Sequence, residues 1–334
     1  MDIKIWAKVH ILQLPRWFAI PFFGFSAIMG VVLAGGSFTQ ANTWLILFAV
    51  LFAMAGGHSL NSFLDYAWTG LDKGEKEDRS AEKSYTGGQN LIENGKVGLK
   101  GIILNAITWY ILSAILLILV SRSINNNTTR MILFYLWLAG MVIPFWYSQA
   151  KFTTWSHELS LGIGVGPLPL LLGMFAVNSH PPIITGLLVS IIPAVVLSFA
   201  GLGLDEWPDA EANLKKGVKS ISFKIWEYSS PDTIILSDSS SSIPTHYSQL
   251  KQYGSINTLQ WYLTMWFMML FGFQLFLIQI GDLKPLTGLV FIMLPPILCS
   301  LVFLRKNFNR VAMVIVVLAA IYLILILIGQ ALGR

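Results

Sequence analysis

The stretch VAMVIVVLAAIYLILILIGQA, residues 311–331, carries no charged side chain from end to end. At about 1.5 Å of rise per residue, a helix of this length crosses a hydrocarbon core of about 30 Å. Comparable runs recur at 14–36, 42–64, 98–121, 131–149, 159–177, 183–203, 258–280 and 286–304, so nine spans are expected. The composition agrees: 55% of the 334 residues are hydrophobic, 12% are charged and the mean hydropathy is +0.66. An ordinary soluble domain is about 25% charged, too high a fraction for this chain to match. A membrane β-barrel would show alternating segments of about ten residues, whereas these runs are continuous and rich in Leu, Ile, Phe and Met. The fold class is therefore all-α, a polytopic membrane protein forming a single domain over 1–334. The first run is long, opens on Pro15 and Arg16 and has no clear small-residue cleavage site, so it is expected to stay as the first helix. The single cysteine, Cys299, excludes an intrachain disulfide.

Nine crossings put the termini on opposite sides and divide the connections into two sets. Placing the amino terminus in the cytoplasm puts 18 Lys and Arg residues on that side and four, Arg122, Arg130, Lys284 and Arg334, on the other. The net charge of +5 thus encodes orientation. No basic stripe with interleaved aromatics points to nucleic acid. The expected location is a cell membrane, with the amino terminus and the two long connections cytoplasmic and the carboxyl terminus opposite. Those connections, 65–97 and 204–257, are expected to be the two active-site loops. The Ser-rich 229–254 stretch reads as a surface insertion within the second.

Two acidic clusters stand at the ends of spans. In HSLNSFLDYAWTGLDKG (58–74), Asn61 and Asp65 are four residues apart and Asp72 a further seven. On a continuing helix these three share one face with His58 and Trp68. In GLGLDEWPDAEANLKKGVKS (201–220), Asp205, Asp209 and Asn213 repeat the four-residue interval. Pro208 suits the first turn of a short helix there. A carboxylate at a membrane boundary costs several kcal/mol unless it meets a partner or a wet cavity. Carboxylate and amide oxygens without Cys or paired His suit a hard cation, and Mg²⁺ is commonly held by one or two carboxylates together with substrate phosphates. Arg79 and Lys83 after the first cluster, and Lys215, Lys216 and Lys219 after the second, supply charge for phosphate oxygens. One N-x-x-x-D is also what a helix cap or a solvated helix end looks like. Two such clusters on one face are harder to explain that way. The run Glu75, Lys76, Glu77, Asp78 reads as solvated loop.

At these residues the chain resembles the UbiA superfamily of intramembrane prenyltransferases. Asn61, Asp65 and Asp72 match its first motif, and the longer Asp65 to Asp72 spacing, with Tyr66 and Gly70, is similar to the 1,4-dihydroxy-2-naphthoate prenyltransferase branch. Asp205, Asp209 and Asn213 match the second motif, trailed by Gly217 and Lys219. SYTGGQNLIENGKVG (84–98), WYSQ (146–149) and HELSLGIGVGPL (157–168) resemble further segments of that branch. Four residues depart from the pattern: Asn213 stands for Asp, Val218 for Lys, Ser62 for Asp and His157 for Gly.

The resemblance covers roughly residues 10–331 and implies nine helices around a central cavity, capped by cytoplasmic loops. It implies two Mg²⁺ ions, held by Asn61, Asp65 and Asp72 and by Asp205, Asp209 and Asn213, with Asp65, Asp72, Asp205 and Asp209 catalytic. The implied partners are a polyprenyl diphosphate, an aromatic quinone-precursor acceptor such as a naphthoate, and the bilayer. The implied substrate-binding residues are Asn61, Arg79, Lys83, Tyr147, Ser148, Glu158, Lys215 and Lys219. Glu158 is a candidate for orienting the acceptor or removing its proton, and equally for capping a helix. A glycerol-based lipid or a porphyrinoid is the alternative acceptor. A cation-coupled transporter and a non-catalytic protein of the same fold are the alternative functions.

Overall fold

The computed structural model describes residues 7–73, 91–92, 95–207, 216–221, 224–225, 245–305 and 308–333. All its regular elements are helical: α1 (Ile20–Leu33), α2 (Ala41–Ala67), α3 (Leu99–Arg122), α4 (Asn127–Ala150), α5 (Ser156–Val165), α6 (Pro167–Val177), α7 (Ile183–Val195), α8 (Leu202–Glu206), α9 (Thr245–Gln279), α10 (Leu294–Val302) and α11 (Phe308–Leu332). Several expected spans are each made of two or more of these. Gly166 and Pro167 separate α5 from α6, since proline opens a helix well and continues one badly. A π-helical segment, Val196–Gly201, joins α7 to α8 just after Pro193. A 3-10 segment, Pro285–Met293, leads into α10.

Among the described residues, eight helical runs are long and apolar enough to cross a membrane. The run expected at 14–36 differs. A π-helical turn at Lys8–Gln13 and a 3-10 turn at Trp17–Ala19 precede α1, with Arg16 between them in the left-handed region at φ 52°. Regular helix thus begins at Ile20 and extends for 14 residues, about 21 Å, short of a bilayer core. The second long connection also differs, because α9 begins at Thr245 and residues 245–257 are helical where loop and insertion were expected.

The placement of α1 explains how it can be short. Ten of its 14 residues are buried, and it packs against α2, α6, α7 and α11. The contact with α6 is set by two glycines. A Cβ on Gly30 would land on the Leu170 carbonyl, and one on Gly173 would land on the Ala27 carbonyl. Small residues at a crossing let two backbones approach closely, the usual solution where lipid supplies no hydrophobic drive between helices. Ser26 Oγ adds a hydrogen bond of 2.5 Å to the Val165 carbonyl. Elsewhere Tyr322 Oη donates to Gln274 Oε1 at 2.8 Å, and Gln274 Nε2 donates to the Thr287 carbonyl at 3.0 Å, joining α11, α9 and the 3-10 segment.

The amino-terminal segment is tied down by polar contacts. Asn105 Nδ2 donates to the His10 carbonyl at 2.9 Å, and Ser59 Oγ donates to Asn105 Oδ1 at 2.7 Å. Burial holds the His10 imidazole below the ordinary histidine pKa. The outer surface carries Ile184, Trp261 and Ile292, each more than 70% exposed, as expected where lipid is the solvent. The chain is a multi-pass helical membrane protein.

Candidate active site

Helix α2 carries Asn61 and Asp65 on one face, both buried, because a four-residue step returns a side chain to the same side of a helix. Asn61 Nδ2 donates to Asp65 Oδ2 at 3.0 Å, and Ser148 Oγ on α4 donates to Asn61 Oδ1 at 2.8 Å. The helix ends at Ala67, so Asp72 does not lie further along the same face. Gly70, at φ 71°, reverses the chain, and the Asp72 amide donates to the Asp65 carbonyl at 3.3 Å. Asp72 is therefore brought back to the end of α2 through a turn, and it is buried. Trp68, expected on that face, is 56% exposed.

The second cluster enters from the end of α8. Asp205 follows the π-helical segment, a distortion frequent at functional sites because it re-aims the residues that follow. Asp205 and Asn61, one from each cluster, line the same cavity. Its volume is about 190 Å³. Arg16, His58 and Tyr147 add to its polar lining, and Phe22, Phe23, Met54, Trp137, Leu168 and Met313 are among its apolar lining residues. Two contacts tie the described part of the second loop to the first cluster's surroundings. The Lys216 ammonium donates to the Leu71 carbonyl, and the Lys219 amide donates to the Lys151 carbonyl at 2.7 Å. Arg79, Lys83, Asp209, Asn213 and Lys215 lie outside the described residues.

Glu158 stands apart from the main cavity. It is buried in the first turn of α5, and its Oε1 accepts from the Ile221 amide at 2.6 Å. It borders a separate apolar cleft with Trp155, Leu159, Ile191 and Phe199. Its contact makes it an anchor for the 216–221 stretch.

Three residues near the site carried no expected role. Lys151 Nζ lies 2.5 Å from Asp65 Oδ2 and 5.2 Å from the centre of the Tyr147 ring. His157, fully buried, places Nδ1 at 3.2 Å from Glu206 Oε1 and its ring 4.4 Å from that of Tyr147. For His157 the signal in the sequence was its departure from the Gly of the resembling family. For Glu206 it was adjacency to Asp205. For Lys151 there was none beyond its charge.

The donor set suits a hard cation. Asp65 Oδ1 is buried without a hydrogen-bond partner, an oxygen placed at a cost that a metal would offset. Among the described residues no three His, Cys, Asp or Glu side chains converge as a metal site, and Asp209 falls outside them.

Comparison with known proteins places this geometry in a structural context. No protein-family model matches the chain, and no curated protein matches it by sequence. Solved structures do match. A digeranylgeranylglyceryl phosphate synthase aligns with TM-score 0.55 at 12% identity, covering 99% of this chain and 98% of its own. An Archaeoglobus fulgidus UbiA homologue, bound to DMAPP and Mg²⁺, aligns with TM-score 0.53 at 13% identity, covering 96% of this chain and 98% of its own. An apo UbiA homologue from Aeropyrum pernix K1 aligns with TM-score 0.54 at 17% identity, covering 94% and 96%. The chain has the UbiA fold. The likeness runs over nearly the whole of each molecule.

Proposed function

We propose that this protein is a Mg²⁺-dependent prenyltransferase of the UbiA superfamily, transferring a polyprenyl group from its diphosphate to an aromatic acceptor. The observation that carries the proposal is that Asn61 and Asp205, from two clusters and 144 residues apart, line one mostly apolar cavity. A lining that combines a few polar side chains with many aliphatic and aromatic ones suits a ligand with a charged head and a hydrocarbon tail. The solved homologue that binds DMAPP and Mg²⁺ supports the same chemistry.

In this reading Asn61, Asp65 and Asp72 hold one ion, and Asp205, Asp209 and Asn213 a second. Ions held by these residues would offset the negative charge that builds on the diphosphate as the allylic C–O bond breaks. Lys216 and Lys219 bring positive charge to the phosphate oxygens, joined by Arg79, Lys83 and Lys215. Ser148 fixes the Asn61 amide with its oxygen held toward the hydroxyl and its nitrogen toward Asp65. The apolar wall seats the prenyl tail and excludes water, which would otherwise quench the allylic cation. An electron-rich carbon of the acceptor attacks that cation and then loses its proton. Glu158 serves this site by positioning residues 216–221.

The acceptor is proposed to be a quinone precursor of the naphthoate type, on the strength of the SYTGGQNLIENGKVG and HELSLGIGVGPL segments. The membrane orientation is proposed to place both loops in the cytoplasm. In membranes containing the protein, Asp65→Ala or Asp209→Ala should abolish transfer of a labelled prenyl chain while the variant still elutes as a folded species. Retained transfer in either would overturn the assignment. An acceptor panel of naphthoate, hydroxybenzoate, glycerol-phosphate lipid and porphyrinoid compounds decides the finer proposal.

A further inference from the structure

We propose that Lys151 is a resident cation that occupies Asp65 in the metal-free protein and gives the carboxylate up to the divalent ion, moving onto the face of Tyr147. The proposal rests on the reading of Asp65 as a metal ligand. Lys151 is the residue just past α4, and its side chain is 13% exposed against 2% for Asp65, so the pair is largely withdrawn from water. Asp65 Oδ2 already takes two donors, the ammonium at 2.5 Å and Asn61 Nδ2 at 3.0 Å, while Oδ1 takes none. An ammonium and a divalent ion on one buried carboxylate repel at close range, and the interior dielectric does little to screen them. Whichever occupies the carboxylate disfavours the other.

The displaced ammonium keeps an aromatic face beside it, one it already touches while it holds Asp65. Its nitrogen already lies 5.2 Å from the Tyr147 ring centre, inside the distance at which an aromatic face attracts a cation. The main chain does not have to move, because the Lys151 carbonyl is held by the Lys219 amide at 2.7 Å. The exchange is a side-chain rotation about a fixed backbone. It would spare the metal-free protein an uncompensated buried carboxylate, a state that burial strongly disfavours.

The test uses the full-length protein in detergent with Mn²⁺ alone, its free concentration read by electron paramagnetic resonance. Wild type should bind Mn²⁺ in a manner lost in Asp65→Asn. Lys151→Met should bind about tenfold more tightly, within the range usual for competing occupants of coupled sites. Lys151→Arg should not gain affinity. Tyr147→Leu should weaken Mn²⁺ binding several-fold, and Tyr147→Phe should not. In EDTA, Lys151→Met should melt below wild type, and Mn²⁺ should close the gap. If it proves too unstable to purify, Lys151→Gln carries the same expectations. Unchanged or weaker Mn²⁺ affinity in the lysine variants, with Asp65-dependent binding intact in wild type, overturns the exchange and leaves the proposed function standing. No Asp65-dependent Mn²⁺ binding in wild type overturns both.

Discussion

His157 and Glu206 form the most deeply placed acid–base contact near the site, with 3.2 Å between Nδ1 and Oε1 and both residues buried. Removing one member deprives the other of a close polar neighbour in a buried setting, a loss that typically costs about 1–3 kcal/mol. His157→Ala and Glu206→Ala should therefore each lower thermal stability strongly, and the double variant should lose much less than the sum of the two, as measured by melting in detergent. Additive losses would mean that the pair does not interact. Residues related by helical spacing were legible in advance: Asn61 and Asp65 lie on one turn, and their contact follows from the four-residue step. Lys151 was not, because its partner is 86 residues away and no local pattern encodes that meeting. Asp72 fell between these cases. Its backbone amide does come back to the Asp65 carbonyl, but by a turn at Gly70 that could not be read from an assumption of continuing helix.

At the scale of elements, apolar runs reveal that a segment is helical and about where it lies, because length and hydrophobicity alone decide whether it can cross. They do not reveal breaks made by tertiary packing. The π-helical segment at Val196–Gly201 and the short α1 both sit inside runs that look uninterrupted. The crossing of α1 with α6 supplies an element-level prediction. Gly30→Val or Gly173→Val would drive a side chain into a carbonyl of the facing helix, where neither backbone can yield cheaply. Overpacking of this kind usually costs about 1–3 kcal/mol, and more where backbone is struck. Either variant should melt lower and elute as a broadened or aggregated species. Gly24→Ala is the control, since its Cβ would meet only the Leu47 and Leu51 side chains, at 3.5 and 4.0 Å. Equal behaviour of all three would show that the close approach is not required.

At the scale of the whole molecule, the uneven distribution of Lys and Arg gives an expected orientation, with both long loops cytoplasmic. With Cys299→Ser as background, Thr153→Cys on the site face should resist a membrane-impermeant maleimide in intact cells and react in inverted vesicles. Asn125→Cys, at the far end of α3, should do the opposite. The reverse pattern would invert the topology. The central position of α1 bears on biogenesis. It precedes α2 to α11 in the chain, yet its partners α6 and α11 follow much later, α11 more than 270 residues on. Its mate must be synthesised before it can be enclosed, so final assembly waits on late translation. A 14-residue segment that is too short to be comfortable in lipid alone must be held meanwhile by α2, by the insertion machinery or by a thinned patch of bilayer.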